Sequence, residues 1–118
     1  MVKILIVNDD KMVRKMLESV LSRKGYVSVS TAGTEKALEI LDTTFNYVLT
    51  DLDLKSKNHH DGMWLVRQIS AKFGKQIPVI IMSGFLTRDN VDEMKNFEVC
   101  YFLQKPFSIK ELISVVKK

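Results

Sequence analysis

An α/β domain, with a parallel sheet covered by helices on both faces, is predicted by three features of the sequence. Short apolar runs recur five times, helix-period segments lie between them, and chemically capable polar residues follow the runs. The first run, Lys3–Val7, passes straight into Asn8, Asp9 and Asp10. Val13, Met16, Leu17, Val20 and Leu21 then form an apolar stripe at helical spacing, with Gly25 as its C-terminal cap. A second strand is predicted at Tyr26–Ser30, and Ala37, Leu38 and Leu41 mark a second helix. Tyr47–Thr50 is the third strand. Leu65, Val66, Ile69 and Phe73 give the third helix, closed by Gly74. Pro78–Met82 is the fourth strand, and Asp89–Phe97 a weakly patterned fourth helix. Cys100–Leu103 is the fifth strand. Ser108 and Glu111 form a capping box ahead of Leu112, Ile113 and Val116 in the last helix. Several runs are apolar throughout, as in strands covered on both sides. Parallel neighbours need crossover connections, which the intervening helices supply.

The 118 residues are read as a single domain, large enough to bury a core without staples. Hydrophobic content of 46% and charged content of 27% are those of an ordinary soluble chain. No apolar run reaches the roughly 18 residues of a membrane span, and no signal peptide is evident. Cys100 is the only cysteine, which excludes an intrachain disulfide, fits a reducing cytoplasm and reads as a small buried hydrophobe. The net charge is +4, but the basic residues are scattered without aromatic interleaving. They describe a solvated exterior rather than a nucleic-acid surface.

Open parallel sheets carry their functional groups beyond the carboxyl ends of the strands. Those ends supply Asn8, Asp9 and Asp10; Asp51 and Asp53; Ser83 and Gly84; and Lys105 with Pro106. Neighbouring carboxylates repel unless a cation neutralises them, and an all-oxygen cluster suits a hard ion such as Mg²⁺. Together with a hydroxyl and a lysine, that shell suits phosphoryl transfer, where catalysis is mostly positioning and charge neutralisation. No glycine-rich phosphate loop is present, so the acceptor is sought within the chain, at the Asp51 carboxylate.

The segments "ILIVNDD", "YVLTDLDL", "IIMSG" and "QKPF", in this order and spacing, closely resemble the receiver domain of two-component response regulators. The resemblance extends from Lys3 to the last helix. It implies one receiver domain over residues 1–118, with a flavodoxin-like (βα)5 sheet of strand order 2-1-3-4-5. It implies that Asp51 accepts a phosphoryl group from a histidine kinase or phosphotransfer protein. Asp9, Asp51 and the backbone carbonyl of Asp53 would hold Mg²⁺, with Mn²⁺ able to substitute. Ser83 would hydrogen-bond the phosphoryl oxygens, Lys105 would pair with them, and the Lys105–Pro106 bond would be cis. Phe102 would be an aromatic switch coupled to Ser83. Such a domain turns over no external substrate, acts in the cytoplasm on a downstream protein, and binds neither nucleic acid nor membrane. It is a monomer or a phosphorylation-dependent dimer.

The chain departs from the family pattern at several positions. Asn8 replaces the first member of the usual acidic pair, leaving an amide oxygen for a metal-bound water and one negative charge fewer. Weaker Mg²⁺ binding than in Asn8→Asp is expected. Asp10 is read as the N-cap of the first helix. The loop "KSKNHHDG" is longer than usual, and Lys55 stands where proline is common. Its His59, His60 and Asp61 are read as solvated rather than as transition-metal ligands. Asp53 and Phe85 occupy positions that in this family tend to govern hydrolysis of the phosphoaspartate. Phe102 lacks the hydroxyl of the frequent tyrosine, so any switch there works by packing alone.

Two other functions compete. A haloacid-dehalogenase-type phosphatase also uses a D-x-D nucleophile, but on its first strand rather than its third. A receiver-like interaction module that no longer accepts phosphate is favoured by Asn8 and opposed by Asp9, Asp51, Ser83 and Lys105 together. A nucleotide-binding Rossmann domain lacks its glycine fingerprint here. The chain reads either as a free-standing regulator or as a piece of a longer regulator or hybrid kinase.

Overall fold

Why five apolar runs make one sheet is visible in how their side chains divide. The computed structural model describes residues 1–54, 59–97 and 100–116. Five strands, β1 (Lys3–Val7), β2 (Val27–Thr31), β3 (Tyr47–Asp51), β4 (Val79–Ser83) and β5 (Cys100–Gln104), alternate with five helices. The helices are α1 (Lys11–Arg23), α2 (Thr34–Ile40), α3 (Gly62–Phe73), α4 (Arg88–Met94) and α5 (Ile109–Val116). All strand pairs are parallel, in the order β2-β1-β3-β4-β5. This is the expected doubly wound order.

Successive strand residues point to opposite faces, so each apolar run feeds two cores. Leu5, Val7, Val48, Val79 and Ile81 pack with Ala37, Leu41, Leu65, Val66 and Ile69 of the α2–α3 side. Ile4, Ile6, Leu49, Ile80 and Met82 pack with Leu17, Leu21, Leu112, Ile113 and Val116 from α1 and α5. The central strands are apolar on both faces because both faces are covered.

Element ends differ from the sequence-based expectation by one to three residues. Tyr26 lies before β2, and its N–H donates to Leu21 O at the end of α1. Pro78, without an N–H, precedes β4 and accepts from Val48 N. The α4 helix starts one residue earlier than expected, at a Thr87 cap whose Oγ1 accepts from Asn90 N, and ends three residues earlier, at Met94. Gly25 and Gly74 follow α1 and α3 with φ of 82° and 62°, conformations that favour glycine. Asp10 caps α1 as expected, its Oδ1 accepting from Met12 N and Val13 N. The Ser108–Glu111 capping box is formed. Cys100 is half-buried rather than buried, because it lies against the loosely covered end of the sheet beside α4.

Candidate functional site

The chain reverses winding direction between β1 and β3, since the connections from these strands run to opposite sides of the sheet. That opens a crevice at their carboxyl ends. Register then decides what meets there. Val7 pairs with Thr50 and Asp51 with Met82, so Asn8 and Asp51 stand side by side just past the ladder. Ser83 pairs with Gln104, which puts Lys105 one residue beyond β5. The backbone ladder continues into the site through Asn8 N to Thr31 O, Leu52 N to Met82 O and Lys105 N to Ser83 O, at 2.8–3.1 Å.

Asp51 is buried, its side chain only 11% exposed, and a buried carboxylate is costly unless partnered. Three segments provide donors. Lys105 Nζ lies 2.9 Å from Oδ2, Asn8 Nδ2 donates to the same oxygen at 3.4 Å, and Asp53 N donates to Oδ1 at 3.2 Å. The Lys105–Pro106 bond is cis.

Not every predicted residue touches Asp51 directly. Ser83 is fully buried, but its hydroxyl is engaged with Phe85. Its Oγ donates to Phe85 O at 2.6 Å and accepts from Phe85 N at 3.1 Å. Phe85 itself is 75% exposed. The Asp9 and Asp53 side chains are exposed at the rim. Phe102 is half-buried and lines a groove of about 380 Å³ with Leu86, Val91, Met94, Phe97 and Cys100. It faces α4, away from the carboxylate cluster.

Among the described residues, no group of three or more His, Cys, Asp and Glu side chains could hold a metal. The chemistry of the available donors nevertheless fits Mg²⁺, which binds through one or two carboxylates and keeps several waters. The oxygens expected to hold such an ion would be those of Asp9, Asp51 and the Asp53 carbonyl.

The long loop departs from expectation where it is described; Lys55 lies outside the described residues. His60 is not merely solvated. Its ring stacks on Trp64 with centroids 3.9 Å apart, and its Nδ1 lies 2.9 Å from Glu35 Oε1. Its carbonyl accepts from Thr34 Oγ1. Asp61 caps α3, accepting from Trp64 N at 3.0 Å. Together they tie the end of the loop to α2 and α3.

Two residues important to the site are not evident in the sequence. Arg14 reaches back from α1, its Nη1 donating to the Asn8 carbonyl at 2.7 Å. Gly62 begins α3 hard against the end of β3, and a Cβ there would sit 2.5 Å from Asp51 O and 2.8 Å from Leu52 Cα. The only signal for Gly62 is a glycine following a helix-capping Asp, which reads equally well as a turn.

A five-stranded parallel sheet of order 2-1-3-4-5, with a lysine-paired aspartate at its switch point, defines a class of signalling domain. The response regulator receiver domain family matches residues 4–117, and the chain belongs to it. Over 116 residues it is 33% identical to sporulation initiation phosphotransferase F of Bacillus subtilis (strain 168), covering 98% of this chain and 91% of that protein. Over 117 residues it is 29% identical to transcriptional regulatory protein CpxR of Escherichia coli (strain K12), covering 98% of this chain and 47% of CpxR. The chain thus spans about half the length of CpxR and of PdtaR of Mycobacterium tuberculosis. A response regulator receiver protein from Pseudomonas putida superposes with a TM-score of 0.85 at 25% identity, covering 98% and 95% of the two chains. Vibrio cholerae chemotaxis protein CheY4 shares the fold, with a TM-score of 0.83 at 21% identity and coverage of 99% and 97%.

Proposed function

We propose that residues 1–118 form one receiver domain that accepts a phosphoryl group on Asp51 from a phosphohistidine of a histidine kinase or phosphotransfer protein. The carrying observation is the buried Asp51 carboxylate paired with Lys105 Nζ at 2.9 Å. In the reaction an Asp51 oxygen attacks phosphorus, the P–N bond breaks, and its electron pair returns to the donor imidazole. Lys105 pairs with the phosphoryl oxygens, and its tie to Asp51 Oδ2 orients the carboxylate beforehand. Mg²⁺, held by Asp9, Asp51 and the Asp53 carbonyl, would supply neutralisation of the charge gathering on those oxygens.

Ser83 must leave Phe85 to reach the phosphoryl group. The released Phe85 backbone and the groove beside Phe102 carry the change to the α4–β5–α5 surface, which a downstream protein or a second copy reads. The phosphoaspartate then hydrolyses with help from the site itself, and no external substrate is turned over. Such a domain works in the cytoplasm, without contacting nucleic acid or membrane. Among the described residues no helix is long and apolar enough to cross a membrane.

Incubation with a small acyl-phosphate donor and Mg²⁺, followed by mass mapping, tests this reading. A single phosphoryl group on Asp51, absent in Asp51→Asn, is expected. Labelling elsewhere, or none, would defeat it, and sustained turnover of a phosphate ester would point to a phosphatase. A phosphate-independent interaction module is the second reading, favoured by Asn8. It predicts no labelling under any metal condition.

A further inference from the structure

We propose that Asn8 is a positioning residue that donates a hydrogen bond to the Asp51 carboxylate, and so competes with a bound cation instead of assisting it. The proposal rests on the receiver reading above and concerns the position where this chain lacks the family's usual acid. An amide side chain has a donor end and an acceptor end, and the partner of one end fixes the direction of the other. The Asp10 backbone N–H, which can only donate, lies 2.8 Å from Asn8 Oδ1. That contact assigns the oxygen to the Asp10 side and turns the NH₂ group toward Asp51 Oδ2 at 3.4 Å.

The reverse orientation is unfavourable at both ends. It would set NH₂ against N–H and oxygen against a carboxylate oxygen, at a residue only 1% exposed. Arg14 holds the same residue from the other side, through the Asn8 carbonyl. An aspartate at position 8 would present oxygen to Asp51, and the two carboxylates would require a cation between them. Asn8 removes that requirement and supplies a donor. The unmodified site is thus held by Lys105, Asn8 and Asp53 N–H, and a cation meets a carboxylate that is already partnered.

Two measurements on the full chain decide the matter. In metal-free protein, Asp51→Ala is expected to move the Asn8 side-chain NH₂ resonances in a ¹H–¹⁵N spectrum and to leave the Asp10 amide hydrogen-bonded. Unmoved NH₂ resonances would overturn the proposal. In calorimetric titration with Mg²⁺, Asn8→Ala is expected to bind as tightly as the wild type or about threefold tighter, because a competing donor is gone. Weaker binding in Asn8→Ala would mean that the side-chain oxygen holds a metal-bound water, and would overturn it. Asn8→Asp keeps the oxygen that Asp10 needs, guards against a folding failure in Asn8→Ala, and is expected to bind about tenfold tighter. If no protein in the series takes up Mg²⁺, the metal-free spectra decide alone. None of these readouts requires phosphorylation, so failure of labelling at Asp51 would be recognised separately.

Discussion

The middle of the sheet and the cover over its β5 edge are built differently. Around β1 and β3 the strands are sealed: Ile4 to Val7 and Val48 to Thr50 are all completely buried. The residues that follow them are locked by side-chain bonds, Asp10 N to Asn8 Oδ1 and Asn8 Nδ2 to Asp51 Oδ2. Around α4 the reverse holds. None of its residues is buried, it borders an open groove, and its described tie to α3 is a surface pair between Arg67 and Glu93. Such pairs contribute about 0–1 kcal/mol. On the proposed function this asymmetry is useful: a carboxylate that accepts a phosphoryl group would be held in place, whereas the segment reporting its state would have a second arrangement within easy reach.

Amide hydrogen exchange measures this difference most directly. The α4 amides are expected to open with free energies about 3–5 kcal/mol below those of β1 and β3, on the order of a 10²–10⁴-fold difference in protection. Equal protection would mean that the groove is no sign of weak coverage and that the two regions form one cooperative unit.

A substitution in the sealed half sharpens the contrast. Gly62→Ala places a methyl group 2.5 Å from the Asp51 carbonyl, against backbone that has no flexible end to yield. A loss of about 2–3 kcal/mol in denaturant unfolding is expected, with displacement of the Asp51 and Leu52 amide resonances. Val91→Ala in α4, at a position 37% exposed, should cost less than about 1 kcal/mol. Similar losses from both would remove the distinction.

The same asymmetry governs how much was legible in the sequence. Strands β1, β3 and β4 are evident because burial on both faces demands unbroken apolar runs, and the site residues follow them directly. Helix α4 is poorly legible because none of its residues is fully buried and only Met94 packs against the core, so no stripe marks its ends. The positions of Asn8 and Ser83 can be read from the chain, but their hydrogen-bond partners cannot. Asn8 answers to a backbone N–H two residues on, and Ser83 to both backbone groups of Phe85. His60 reads as a solvated loop residue because its partners Glu35 and Trp64 are brought to it only by tertiary packing.

Cys100 offers the most local effect, since its thiol lines the α4 groove. Burial pushes its pKa up to about 12. An unfolded chain releases that proton in the ordinary thiol range near 8.5, whereas the folded chain holds it. The neutral thiol's contribution is therefore intact below that range, falls as pH rises through it, and is fully lost only near 12. At pH 10 the wild type should have lost about 1–2 kcal/mol relative to its value at pH 7, beyond any loss in Cys100→Ala measured in parallel. Identical pH profiles for the two proteins would show that the thiol is already open to water. Thiol-labelling kinetics at pH 8 then give the route: a rate well above that of global unfolding, and slowed by phosphorylation of Asp51, would make α4 opening the event that exposes it. Labelling only as fast as global unfolding would instead place the groove within the sealed part of the molecule.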